Sequence, residues 1–109
     1  MEFNAKALLL KKENGEWKEE EITIKNVADI RAVFTPYESN VDQVNLDRYR
    51  KVYYTIGFLK DGIDARTVDI DDNRAYLVSP LLLVQCDDEK PIDLTEEVLQ
   101  SIKNSIDFF

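Results

Sequence analysis

The sequence predicts an α+β domain, a mostly antiparallel sheet of about five strands in the order ββαβββα with two helices packed on it. Three observations carry this. Asn14-Gly15 divides two extended segments, and this dipeptide accepts the positive φ that both central positions of a type I′ hairpin turn require. Asp61-Gly62 divides a second pair, with Val52, Tyr54, Ile56 and Phe58 alternating ahead of it. Two further segments, after Asn26 and after Asp93, carry apolar residues at helical spacing.

Taken in order, residues 3 to 11 and 17 to 25 form the first hairpin. With residues 13 and 16 flanking its turn, Ala5, Ala7, Ile22 and Ile24 share one face, while Leu8 and Leu10 lie on the other opposite Glu19, Glu20 and Glu21. The glutamates keep one end of the hairpin wet. Leu8 and Leu10 need a cover, either another element or a second copy of the chain in a homodimer. Asn26 is a good N-cap for a short helix through Val27, Ile30, Val33 and Phe34, which Thr35-Pro36 stops. Residues 37 to 48 show weak periodicity and no glycine, so they read as a long loop and a candidate variable surface.

Tyr49 to Lys60 and Ile63 to Ile70 form the second hairpin, and Asp71-Asp72-Asn73 turns the chain again. Tyr76 to Cys86 reads as one strand, covered on both faces along Leu81-Leu82-Leu83-Val84, with Pro80 implying a bulge or an edge near its start. After the loop at residues 87 to 91, Asp93 with Glu96 has the form of a capping box. The terminal helix then puts Leu94, Val98, Leu99, Ile102 and Ile106 on one face and brings Phe108 or Phe109 against the sheet.

At 109 residues the chain is expected to be one domain, 1–109, with enough apolar surface to fold without metals or disulfides. The opening Met1-Glu2-Phe3-Asn4 lacks the basic region of a secretory signal, and no apolar stretch nears the roughly 20 residues that span a bilayer. The expectations are a cytoplasmic location and no membrane partner. Cys86, the single cysteine, reads as a small buried hydrophobe rather than a nucleophile.

Charge is the most informative property. Residues 1 to 60 hold ten acidic and ten basic side chains, whereas residues 61 to 109 hold twelve acidic and four basic, so the second half carries the whole net charge of -8. Such a field disfavours direct contact with duplex nucleic acid and favours a basic protein partner. The plain alternative is that the charge only confers solubility.

Catalytic chemistry finds few residues to work with. Histidine is absent, which removes the commonest general base, and Gly15, Gly57 and Gly62 are isolated, so no phosphate loop can be built from them. Asp64, Asp69, Asp71, Asp72, Asp87 and Asp88 offer oxygen ligands, but without the glycine and distal glutamate of a calcium loop they read as turn residues. No metal and no cofactor is expected, and no enzymatic activity. Arg48-Tyr49-Arg50-Lys51-Val52-Tyr53-Tyr54 interleaves cations with aromatics, as nucleotide sites do. Its plain reading is a strand entry that neutralises the acidic half.

Asp72-Asn73-Arg74-Ala75, the apolar strand to Cys86 and Leu94-Thr95-Glu96-Glu97-Val98-Leu99 resemble the ending of short phage and mobile-element proteins of unknown function. The resemblance implies an accessory viral role in a host cytoplasm and supplies no catalytic residues. The expectation is a non-enzymatic protein that binds and inhibits a host macromolecule, such as a defence protein. Its contacts would be an acidic surface (Asp64, Asp69, Asp71, Asp72, Asp87, Asp88, Glu89) and the loop residues Tyr37, Glu38 and Asp42. Two alternatives stand beside it: a nucleotide or small-ligand sequestering protein using Arg48, Tyr49, Arg50, Lys51 and Tyr53, and an immunity protein against a basic nuclease toxin.

Overall fold

Asn14 and Gly15, with φ of 52° and 80°, turn strand β1 (Ala5–Glu13) back as β2 (Glu16–Ile24) in a computed structural model that describes residues 3–35, 41–55, 65–67, 76–77 and 79–108. Glu13 faces Glu16, and this register puts Ala5 opposite Ile24 and Leu8 opposite Glu21, as the turn dipeptide predicts. Helix α1 (Val27–Phe34) follows, with the Asn26 side chain accepting from the Asp29 N–H at 3.0 Å. The described chain continues as β3 (Val41–Asn45), β4 (Arg50–Thr55), β5 (Ala65–Thr67), β6 (Tyr76–Leu77), β7 (Leu81–Asp87), β8 (Lys90–Ile92), α2 (Glu96–Asn104) and β9 (Ile106–Phe108).

The fold is α+β, and every strand pairing among the described residues is antiparallel. The main sheet runs β2-β1-β7-β4-β3, with β8 also paired to β7, and a smaller sheet runs β6-β5-β9. Strand β7 is central, and Leu81, Leu82, Leu83 and Val84 are fully buried, because their alternate side chains enter two different cores. On one face Leu82, Val84 and Cys86 join Ala5, Ala7, Leu9 and Ile24 beneath Ile30 and Phe34 of α1. On the other, Leu81 and Leu83 join Leu8, Leu10 and Val52 beneath Ile102 of α2 and Ile106 of β9. The two helices therefore cover opposite faces. Burying each such aliphatic side chain contributes about 1.5–3 kcal/mol, so this double layer dominates stability.

Of the two covers open to Leu8 and Leu10, the chain's own residues are the one the fold uses. Several other elements differ from the sequence reading. Within the expected loop at 37 to 48, Val41–Asn45 pairs with β4 as a strand, with the partly buried Val41 and Val44 turned to opposite faces. The second hairpin does not form at residues 65 to 67. Ala65 pairs with both Leu77 and Phe108, so neither edge of β5 is left for the chain ahead of Asp61-Gly62, a turn that lies outside the described residues.

The single strand expected over 76 to 86 is divided between the two sheets, with Ser79-Pro80 between β6 and β7. The Ser79 hydroxyl accepts from the Lys12 N–H at 2.8 Å and ties this crossing to β1. The cap of α2 is Thr95 rather than Asp93, whose carboxylate instead accepts from the Lys6 N–H at 2.9 Å. Ile106 lies beyond the helix in β9, yet it reaches the same core. Phe108 meets the Trp17 ring edge-on, with centroids 5.0 Å apart. Among the described residues no helix is long and apolar enough to cross a membrane.

Candidate functional site

Two reverse turns meet at one end of the main sheet, and a single aspartate organises the first. Between β3 and β4, Asp47 Oδ1 accepts from the backbone N–H of Tyr49 at 2.8 Å and of Arg50 at 2.9 Å, a side-chain turn that tightens the corner. Its Oδ2 accepts from Arg50 Nε at 2.9 Å. Burial opposes ionisation of Asp47, but these N–H donors and the Arg50 charge together outweigh it and hold the carboxyl below the ordinary value. Arg50 continues inward, its Nη1 donating to Ser101 Oγ at 2.9 Å and Ser105 Oγ at 3.2 Å on and just after α2. Its side chain is only 14% exposed.

The second turn, between β7 and β8, carries Asp87, Asp88 and Glu89, and Asp88 adopts φ of 55°, a left-handed conformation that aspartate tolerates better than most residues. The two turns are fastened together, because the Cys86 N–H donates to the Tyr49 carbonyl at 2.8 Å. Across the gap Arg48 Nη1 lies 4.0 Å from Asp88 Oδ1, with both side chains more than two-thirds exposed. The Arg48 guanidinium also lies 5.7 Å from the centre of the half-exposed Tyr49 ring.

A groove of about 720 Å³ opens here, bounded by Gln43, Asn45, Arg48, Lys51, Asp88 and Glu89, with Cys86 at its inner wall. Lys51 Nζ lies 5.7 Å from the Tyr53 ring centre. Burial raises the Cys86 thiol pKa above its ordinary value, and the neighbouring Lys51 charge only partly offsets that. Burial likewise raises the Tyr53 hydroxyl, with a smaller contribution from Cys86. Beyond Asp47, on the other face of the sheet, a second cleft of about 410 Å³ lies between Tyr49, Arg50 and Glu97.

The expected sites are thus partly joined. Asp88 and Glu89 share one groove with Arg48 and Lys51 of the cation–aromatic strand, while Asp87 lies outside its lining at the end of β7. Arg50 does not face that groove and is bound to Asp47 and α2. Asp42 lies apart on β3, where its carboxylate accepts from the Gln43 N–H at 2.7 Å and from the Tyr54 hydroxyl at 3.4 Å. Tyr37, Glu38, Asp64, Asp69, Asp71 and Asp72 lie outside the described residues. Asp47 and Gln85 escaped the sequence reading; the signal for Asp47 was an aspartate three residues ahead of an arginine at a strand entry.

Exposed carboxylates are not equivalent. Glu20 and Glu21 on β2 face Lys11 and Lys6 of β1 at 3.9 and 3.8 Å, and Glu19 pairs with Lys103. Asp87 and Glu89, by contrast, have no ion-pair partner among the described residues. Nor do three or more His, Cys, Asp or Glu among the described residues come together to hold a metal ion. No protein-family model, curated protein or solved structure matches this chain.

Proposed function

We propose that the chain is a non-enzymatic binding protein that docks a basic surface of a protein partner on the turn Asp87-Asp88-Glu89. The observation that carries this reading is three successive exposed carboxylates on a reverse turn fixed to the sheet, beside a groove, of which Asp88 alone lies within ion-pair distance of a cation among the described residues. Rigid, under-neutralised charge of this kind favours a complementary partner and speeds encounter with it. The accessory role that the phage-protein resemblance implies, inhibition of a basic host protein such as a defence factor, is the form of this activity we favour. Immunity against a basic nuclease would use the same surface.

Nucleotide sequestration draws less support. Of the three cations proposed for it, Arg50 is bound to Asp47 and two serines, while Arg48 and Lys51 share their groove with Asp47, Asp88 and Glu89, which repel phosphate.

The test is capture from a host lysate by the wild-type protein and by a variant carrying Asp87→Asn, Asp88→Asn and Glu89→Gln. The wild type is expected to retain a basic protein at low salt and release it as salt rises, with the variant retaining little. Equal capture by both would remove the acidic turn from the account.

A further inference from the structure

The Arg48 guanidinium stands where a cation from outside would bind. It is 4.0 Å from Asp88 Oδ1, beyond hydrogen-bonding distance, and 5.7 Å from the centre of the Tyr49 ring, with its side chain 68% exposed. Arg50, two residues on, shows the opposite condition, with its Nε and Nη1 engaged and little exposure. Arg48 is therefore held by one carboxylate and one aromatic face, each of which it leaves open when it swings away.

We infer that Arg48 is a built-in placeholder, displaced when an arginine of the basic partner pairs with Asp88 and stacks on Tyr49. This rests on the docking reading above and adds a sign to it. Both the carboxylate and the ring are held by the backbone around them: Asp88 in its turn, and Tyr49 by hydrogen bonds at its N–H and carbonyl. The receptor half of the contact stays fixed while the long Arg48 side chain leaves. An arginine suits the exchange better than a lysine, because a planar guanidinium both stacks on a ring and pairs with a carboxylate. A site for phosphate would show the reverse dependence, since there Arg48 would be an attractive contact and its loss would weaken binding.

Nona-arginine peptide is the probe, titrated at low ionic strength into the wild-type protein and into Arg48→Ala, Arg31→Ala and Asp88→Asn variants. Arg31 is an exposed residue of α1 outside any ion pair among the described residues, so its removal measures the effect of net charge alone. Arg48→Ala is expected to tighten binding up to about fivefold, the span of an exposed ion pair, and clearly more than Arg31→Ala. Asp88→Asn is expected to weaken it. A gain from Arg48→Ala no larger than that from Arg31→Ala overturns the placeholder. If Arg48→Ala gives no such gain while the Asp87, Asp88 and Glu89 triple variant still loses the peptide, docking stands and displacement falls. If the triple variant binds as the wild type does, both fall.

Discussion

Arg50 Nη1 and Ser101 Oγ, fifty-one positions apart in the chain, meet at 2.9 Å and join the start of β4 to the last helix. The same guanidinium reaches Ser105 Oγ and, through Nε, Asp47, so one side chain fixes a turn, a strand and a helix end.

Arg50→Ala should therefore destabilise the fold by about 2 kcal/mol, the scale for losing hydrogen bonds to a partly buried charged group. Arg48→Ala, with its exposed partner, should stay within about 0.5 kcal/mol. Urea unfolding midpoints of the two variants check the contrast, and equal losses would contradict it.

Asp47 makes stability depend on pH in one direction. Its folded pKa lies below the ordinary 3.8, so its stabilising contribution is present above that value and is lost as pH falls through the folded value. Asp47→Asn should lower stability near neutrality and reduce the acid-side loss below about pH 4. Thermal unfolding of the wild type and variant across pH 2.5 to 7 reads this, and parallel curves would count against it.

Gln85 completes the cap of α2 from outside the helix. Its Oε1 accepts from the Thr95 N–H at 2.8 Å and the Thr95 hydroxyl at 3.1 Å, while the Thr95 Oγ1 accepts from the Val98 N–H at 3.4 Å. A capping box draws that first acceptor from the third helical residue, but here that position is Val98. Thr95→Ala should cost about 1 kcal/mol, and Gln85→Leu a similar amount. A double-mutant cycle in denaturant should show coupling between the two, whereas simple additivity would deny the shared cap.

Cys86 should be inert in the folded chain. It is 1% exposed and its thiol pKa is raised, chiefly by burial, so little thiolate is present and little reagent reaches it. Reaction with a disulfide reagent at pH 8 should be slow under native conditions and fast in 6 M guanidinium. Rapid native labelling would contradict the burial.

The sequence by itself determined what depends on neighbours along the chain. The Asn14-Gly15 turn set the nine-residue register of β1 on β2, because positive φ at two successive positions leaves little choice of hairpin. Asn26 set the start of α1, and the uninterrupted run Leu81 to Val84 marked a strand buried on both faces. The reversal at Asp88 and Glu89 was also legible, since its charge and its turn residues are local, but the loop expected over 87 to 91 is shorter, because Lys90 and Pro91 pair with Asp87 and Cys86 as β8.

Only the tertiary structure decided which strands meet. Arg66 pairs with Tyr76 and Asp107, and nothing near residue 66 encodes partners ten and forty-one positions away. The same holds for β7, which lies between β1 and β4, and for Gln85 replacing a helix residue in the cap. Tertiary packing likewise sent Arg50 inward to α2 while leaving Arg48 beside Asp88 at the groove, a division that two arginines in one basic run could not reveal. Such pairings follow from burying two apolar faces at once and satisfying the polar groups caught between them, and that balance exists only when the whole chain is assembled.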